Sequence, residues 1–377
     1  GWFVGPGGHG VPLQSREAIY AWFIKWLQDG KGDPREEPVD LDPSEAILCT
    51  RTGQVSDSLG GETVYSLNRK RAADLIARKQ PVNAAADVES LRSRLRKDIR
   101  DVAAVRLEPG GAPPKVTVHS AAAREGYAVE VVSFPSAAGM RIPGVLLVPD
   151  APGRKRAVLV VDPRPKQALA APNGDLAGLA EAGFVVLAIQ PSGVAESAVA
   201  GGGASLIGDH GMAIRAAIVG KTLPGMRVED TIRAVDYLVS RADSDGPSVT
   251  AIGQGALGPV VLHAAVLDDR IQRVVLQDSL ALYKMAVDRP IHRNIHEQAP
   301  AGVLRKYDLD DLLAAVSPRA VVVVNPVDAL GEPLRLSEFR EAARYAFEAD
   351  GKLGRAKRLQ VLHRGRGTRL AALVGAK

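Results

Sequence analysis

The stretch that decides the fold is Ser248-Val-Thr-Ala-Ile252, then Gly253-Gln254-Gly255-Ala256-Leu257-Gly258, then Pro259-Val-Val-Leu-His-Ala-Ala265. A β-branched apolar run, a turn of glycines and a second apolar segment predict strand, sharp turn and helix. The turn fits two chemistries. As G-x-G-x-x-G, with Gly253, Gly255 and Gly258, it would let a pyrophosphate approach the backbone at a helix N-terminus. As G-x-S-x-G it would be an elbow that presents a serine nucleophile above a sheet. In this chain Gly255 fills the serine slot, and the next glycine arrives at 258, one place late.

Working outward, the same alternation continues on both sides. From Lys115 the pattern reads as strands at Val116–His119, Tyr127–Phe134, Ile142–Val148 and Ala157–Val161, the last nearly all apolar as a central buried strand is. Helix Gly174–Ala182, strand Phe184–Ile189 and helix Val228–Ser240 follow, and lead to strand Val249–Ile252 and helix Gly258–Val266. Beyond them come strand Arg273–Leu276, a variable stretch over 280–305, helix Leu309–Val316, strand Ala320–Val324, helix Ser337–Ala349 and strand Arg358–Leu362. Alternation on this scale predicts an α/β fold: a doubly wound, mainly parallel sheet over about 115–367 with helices on both faces.

In such a sheet, function gathers at the carboxyl ends of the strands. Those ends carry Gly255, then Asp278, Asp328 and His363. Nucleophile slot, acid and histidine stand in the order of a Ser–Asp–His triad, 73 and 35 residues apart. Asp328 and His363 are therefore the candidate acid and base. The rival dinucleotide reading uses Asp278, 20 residues after Gly258, as the acid for a ribose hydroxyl. It leaves Asp328 and His363 idle, and its fingerprint would fall late in the order of strands rather than on the first.

Gly225-Met-Arg-Val-Glu-Asp-Thr-Ile-Arg-Ala-Val-Asp-Tyr-Leu238, followed by Val249–Gly258, resembles the bacterial acetyl xylan esterase branch of the α/β-hydrolases. Leu13-Gln-Ser-Arg-Glu-Ala-Ile-Tyr-Ala-Trp-Phe-Ile-Lys-Trp-Leu27 is similar to the histidine loop and terminal helix of another such domain. The resemblance covers residues 1–28 and about 115–367. It implies a tandem hydrolase cut within its first domain: residues 1–28 as the end of that domain with His9 as its histidine, 29–114 as linker and helical connector, and 115–377 as a hydrolase-like domain. It also implies an acetylated carbohydrate or other small ester as substrate, a missing N-terminal hydrolase domain as partner, and secretion or a periplasmic location. The departure at Gly255 is chemical, because acyl transfer needs an oxygen that histidine can deprotonate. The expectation is a degenerate domain that supports an active neighbour. An active esterase with an unrecognised nucleophile is the alternative, although nothing in the sequence puts Ser192, Ser205 or Ser279 beside His363.

The remaining features set bounds. The chain has 377 residues, 46% of them hydrophobic and 24% charged, as in ordinary globular proteins. A net charge of +5 is spread among acids, and neither Arg154-Lys155-Arg156 nor Arg364–Arg369 alternates with aromatics, so no nucleic-acid partner is expected. No apolar run reaches membrane-span length, and no membrane partner is expected. The lone Cys49 excludes an internal disulfide and a cysteine zinc site. His292 and His296, four apart, could face one metal if helical, but no third ligand is suggested; neither metal nor cofactor is expected. His210 is a candidate for lining a lid, and His119 and His263 read as packing residues. A strand end at Trp2–Val4, a helix from Ser15 to about Gln28 capped by Ser15, a strand and turn over Ile47–Val55, and helices Arg69–Lys79 and Asp87–Val102 complete the N-terminal reading. All three tryptophans fall in the first 28 residues, where Ile19, Trp22, Phe23, Trp26 and Leu27 share a helix side.

Overall fold

The computed structural model describes residues 1–76, 79, 81–136, 139–194, 210–353, 358–365 and 368–375. Its contacts divide the chain into two compact units, Gly1–Thr63 and Val64–Lys377. The first holds helix α1 (Leu13–Leu27), a 3-10 turn at Ser44–Ile47 and short helix α2 (Val55–Leu59). Helix α1 starts two residues before Ser15, which does not cap it; Pro12 stands at the N-cap and no side chain bonds there. Neither Trp2–Val4 nor Ile47–Val55 forms a strand, since no partner strand offers either segment its hydrogen bonds. Arg16 and Tyr20 bind the Glu36 carboxylate at 2.7 and 2.9 Å, which lays the polar 30s segment along the helix. No residue of α1 is buried; Trp22 and Trp26 pack on each other, ring centres 5.6 Å apart.

The second unit opens with α3 (Val64–Ile76) and α4 (Ala85–Val102). The Asp87 carboxylate accepts hydrogen bonds from Asn83 and Ala84 N–H at 2.8 and 2.9 Å, closing the N-terminus of α4. Leu91, Leu95 and Ile99, at helical steps, enter the same core as the sheet. Helix α4 belongs to the second compact unit, because its apolar stripe has its partner surface in the sheet.

Nine strands follow: β1 (Thr117–Arg124), β2 (Tyr127–Pro135), β3 (Arg141–Pro149), β4 (Lys155–Val161), β5 (Val185–Ile189), β6 (Ser244–Gln254), β7 (Ile271–Gln277), β8 (Ala320–Val324) and β9 (Leu359–Leu362). They form one sheet in the order β1-β2-β3-β5-β4-β6-β7-β8-β9. Strands β1, β2 and β3 pair antiparallel, as do β3 and β5; every pairing from β5 through β4 to β9 is parallel. The chain leaves β4 to one side for β5 and returns on the other for β6, the topological switch at which α/β sheets place their clefts.

The helices between the strands are α5 (Lys166–Leu169), α6 (Asp175–Glu181), α7 (His210–Ile218), α8 (Leu223–Ser240), α9 (Gly258–Leu267), α10 (Lys284–Val287), α11 (Ile295–Gln298), α12 (Leu309–Val316), α13 (Leu336–Ala342), α14 (Arg344–Lys352) and α15 (Leu370–Leu373). The expected helix over Ser337–Ala349 is therefore two, α13 and α14, and short helices punctuate the variable stretch at 280–305. Thr222 caps α8, its hydroxyl oxygen accepting from Gly225 N–H at 3.0 Å, with Pro224 in the first turn. Side chains of β4 alternate: Ala157, Leu159 and Val161 join the core under α4, α8, α9 and α12, while Val158 and Val160 join the opposite core under α6 and α15. Both faces of a parallel strand are thereby buried, the reason its sequence is a continuous apolar run.

Candidate functional site

At the end of β6 the chain does what its sequence requires. Gln254 is the last strand residue, Gly255 has φ +58°, a 3-10 turn runs Gly255–Leu257 and α9 begins at Gly258. The three glycines serve different ends. A Cβ on Gly253 would lie 2.7 Å from the Gly258 Cα and 2.8 Å from the Leu257 carbonyl oxygen, so the strand and helix meet backbone to backbone. A Cβ on Gly258 would lie 2.1 Å from the Ser279 Oγ. A Cβ on Gly255 would meet nothing within 4 Å. The position of Gly255 is therefore open and in the left-handed conformation that glycine adopts readily, and it carries no side-chain oxygen.

Gly253 and Gly258 are packed closely against protein, and the first turn of α9 is buried. The fingerprint also falls on the sixth strand of the sheet, between β4 and β7.

Asp328 follows β8 on a tight turn and is 6% exposed. Its carboxylate accepts from Leu330 N–H at 2.8 Å and Glu332 N–H at 3.0 Å, and pairs with Arg289 at 2.9 Å. His363 follows β9 directly and is exposed. Among the described residues no hydrogen bond or ion pair joins it to Asp328. His9 lies on an exposed loop of the first unit.

The carboxyl ends of β6 to β9 are knit by a network that the sequence did not announce. Asp278, in the left-handed conformation at φ +51°, accepts from Gln254 Nε2 at 2.7 Å and Asn325 Nδ2 at 3.1 Å. Asn325, also left-handed at φ +48°, accepts from Arg364 N–H at 2.9 Å. The Arg364 guanidinium reaches Asp175 at 3.1 Å and Gln277 at 3.2 Å. Gln254, Asn325 and Arg364 were missed because polar residues at strand ends look alike in sequence. The one available signal was Asp and Asn just beyond apolar runs, the side chains that best tolerate left-handed backbone.

Behind the elbow, the Arg-x-x-Asp pattern of α8 is explained by burial. Arg227 has no exposed surface; its guanidinium donates to the Ser192 carbonyl at 2.9 Å and to the Glu297 carbonyl at 3.0 Å. Asp230 accepts from the N–H and the hydroxyl of Ser192 at 2.8 and 2.7 Å, and burial pushes its carboxyl up to about 6. These two residues hold the turn after β5 and helix α11, which packs on the elbow turn.

The other candidates resolve as follows. Asn294 breaks the backbone at φ +52° and α11 starts only at Ile295, so His292 and His296 share no helix face and the i,i+4 metal pair is lost. His296 packs instead on His210, ring centres 5.0 Å apart. Burial and the neighbouring His210 and His292 hold the His296 imidazole below its ordinary range. Among the described residues no three His, Cys, Asp or Glu side chains are placed to hold a metal ion. Buried His263 donates Nδ1–H to the Pro259 carbonyl at 2.6 Å and accepts at Nε2 from Tyr307, 3.1 Å away; burial pushes it down to about 4. His119 bonds across strands to Ser133 at 2.7 Å. The Ser192 hydroxyl is committed to Asp230, Ser279 packs on Gly258, and Ser205 lies outside the described residues. No helix is long and apolar enough to cross a membrane among the described residues.

No family model matches the sequence, and no curated protein matches it either. Solved structures do match by fold. A Bacteroides fragilis protein described as a candidate acetyl xylan esterase superposes with a TM-score of 0.61 at 14% identity, covering 81% of this chain and 84% of the other. The methylesterase BT1017 gives a TM-score of 0.54 at 17% identity over 81% of this chain, which spans 64% of that protein's length. Strand order, elbow position and these likenesses agree: the chain has the α/β-hydrolase fold, the fold of these esterases.

Proposed function

We propose that the sheet unit is a carboxylic-ester hydrolase relative that has given up serine acyl transfer and serves as a binding or supporting module. The observation that carries this reading is Gly255, at φ +58° in the nucleophile position of an otherwise well-formed elbow. Acyl transfer there would need an oxygen to attack the ester carbonyl while histidine takes its proton. Gly255 has none. The surroundings agree with the loss. Asp328 is satisfied by Arg289 and two backbone amides, which leaves His363 without a carboxylate to orient its ring among the described residues. Losing a triad serine costs on the order of 10⁶ in kcat. The ligand class is an acetylated carbohydrate or other small ester, in keeping with an acetyl xylan esterase and a methylesterase among the structural likenesses.

The test is hydrolysis of p-nitrophenyl acetate by the full chain and its His363→Ala variant. Equal rates support the reading. A drop well beyond tenfold in the variant would show a working base and an unrecognised nucleophile, and the alternative of an active esterase would replace it.

A further inference from the structure

We infer that the second unit also carries a small-molecule site that uses none of the elbow's residues, a pocket for an apolar monocarboxylate beneath α3. A cavity of about 300 Å³ lies there, at the lower end of the size of small-ligand sites. Ala72 and Leu75 of α3 form one wall; Tyr283, Val287, Ile295 and Ala299 form the other. At its edge stand two arginines, Arg71 and Arg305, both exposed.

The charges around the pocket are unequally committed. Arg69 and Lys284 both lean on Asp288, and Lys79 is held by Asp310 and Asp311. Arg71 and Arg305 line the cavity, and no ion pair joins either to an acid among the described residues. A guanidinium is a planar fork that matches a carboxylate, and two of them at the edge of an apolar pocket favour an anionic head on an apolar body. A pocket of this volume holds one short acyl chain or a single ring rather than a polymer.

The walls are pinned before any ligand arrives. Tyr65 donates its hydroxyl to the Asp288 carbonyl at 2.9 Å, docking α3 on the segment opposite. Buried Tyr283 donates to the Gln298 carbonyl at 2.6 Å, and its own N–H donates to Asp308 at 2.6 Å. Little ordering is left to oppose binding. The site uses neither Gly255 nor Asp328 nor His363, so it stands apart from the reading of the elbow: ester turnover tests that reading, and equilibrium binding tests this one.

The experiment is calorimetric titration of the full chain with octanoate, and with 1-octanol as the neutral counterpart. Octanoate is expected to bind saturably at one site, with 1-octanol roughly tenfold weaker or more. Arg71→Ala and Arg305→Ala, both surface changes that leave folding intact, should each weaken octanoate by roughly threefold to tenfold. Ala299→Phe, which fills the cavity, should abolish binding. Absence of saturable binding at millimolar octanoate, equal affinity for octanol, or arginine variants that bind like the parent would each overturn the proposal.

Discussion

Replacing Gly255 by serine tests the geometry of the elbow directly. The residue sits at φ +58°, where an L-amino acid costs about 1–2 kcal/mol relative to ordinary backbone. Space adds nothing to that cost, since a Cβ there meets no atom within 4 Å. Gly255→Ser should therefore lower stability by about 1–2 kcal/mol, a melting shift of a few degrees for a unit of this size. Its neighbours provide the contrast. Gly253→Ala would put a Cβ 2.7 Å from one backbone atom and 2.8 Å from another, and Gly258→Ala would put one 2.5 Å from the Ser279 Cβ. Relief there needs backbone movement, so each should cost about 3 kcal/mol or more, the upper range of overpacked cores. Urea denaturation of the three variants, with the slope checked for constancy, ranks them. If Gly255→Ser is as damaging as Gly253→Ala, the nucleophile slot is not open and the elbow reading fails. The same variant carries a chemical readout. With Asp328 paired to Arg289, the added hydroxyl should not raise p-nitrophenyl acetate turnover appreciably. A gain of several orders of magnitude would show histidine and acid already poised, and would refute a dismantled triad.

Three further outcomes are expected. Arg227→Met should destabilise the second unit by about 3 kcal/mol in denaturant unfolding, because buried carbonyls of Ser192 and Glu297 lose their donor. Asp230 has a folded value near 6 against an ordinary 3.8, so its proton is held more tightly in the folded state. That contribution is full below the unfolded value and is lost as pH rises through about 6; Asp230→Asn should flatten this part of the stability–pH profile, and an unchanged slope would count against it. Removing residues 1–28 should raise solubility and leave the melting of the second unit unchanged, since α1 has no buried residue and its bonds to Glu36 stay within the first unit. Unfolding of the second unit on that deletion would place α1 in its core.

Much of the sheet was legible because its signals are local. Ala157–Val161 and Val321–Val324 are apolar at every position, which only a strand covered on both faces permits, and α4 repeats its apolar residues at helical steps. The N-terminal strands were misread for a related reason: Trp2–Val4 and Ile47–Val55 carry strand-forming residues, but a strand exists only where another offers hydrogen bonds. Ser15 looks like a cap by residue type, yet the helix began two positions earlier, and boundaries are settled by capping geometry rather than composition.

The sequence by itself determined the strand–turn–helix at 248–265, the absence of an oxygen at Gly255, and the positions of Asp328 and His363 just after strands. These follow from periodicity and residue chemistry, which act over a few neighbours. Tertiary structure alone decided what each polar group faces. It gave Asp328 to Arg289, drew Asp278, Asn325 and Arg364 into one network, set Ser279 into the space left by Gly258, and placed Arg71 and Arg305 on the lining of one cavity. The partners of a side chain depend on distances across the fold, and sequence spacing carries no record of them.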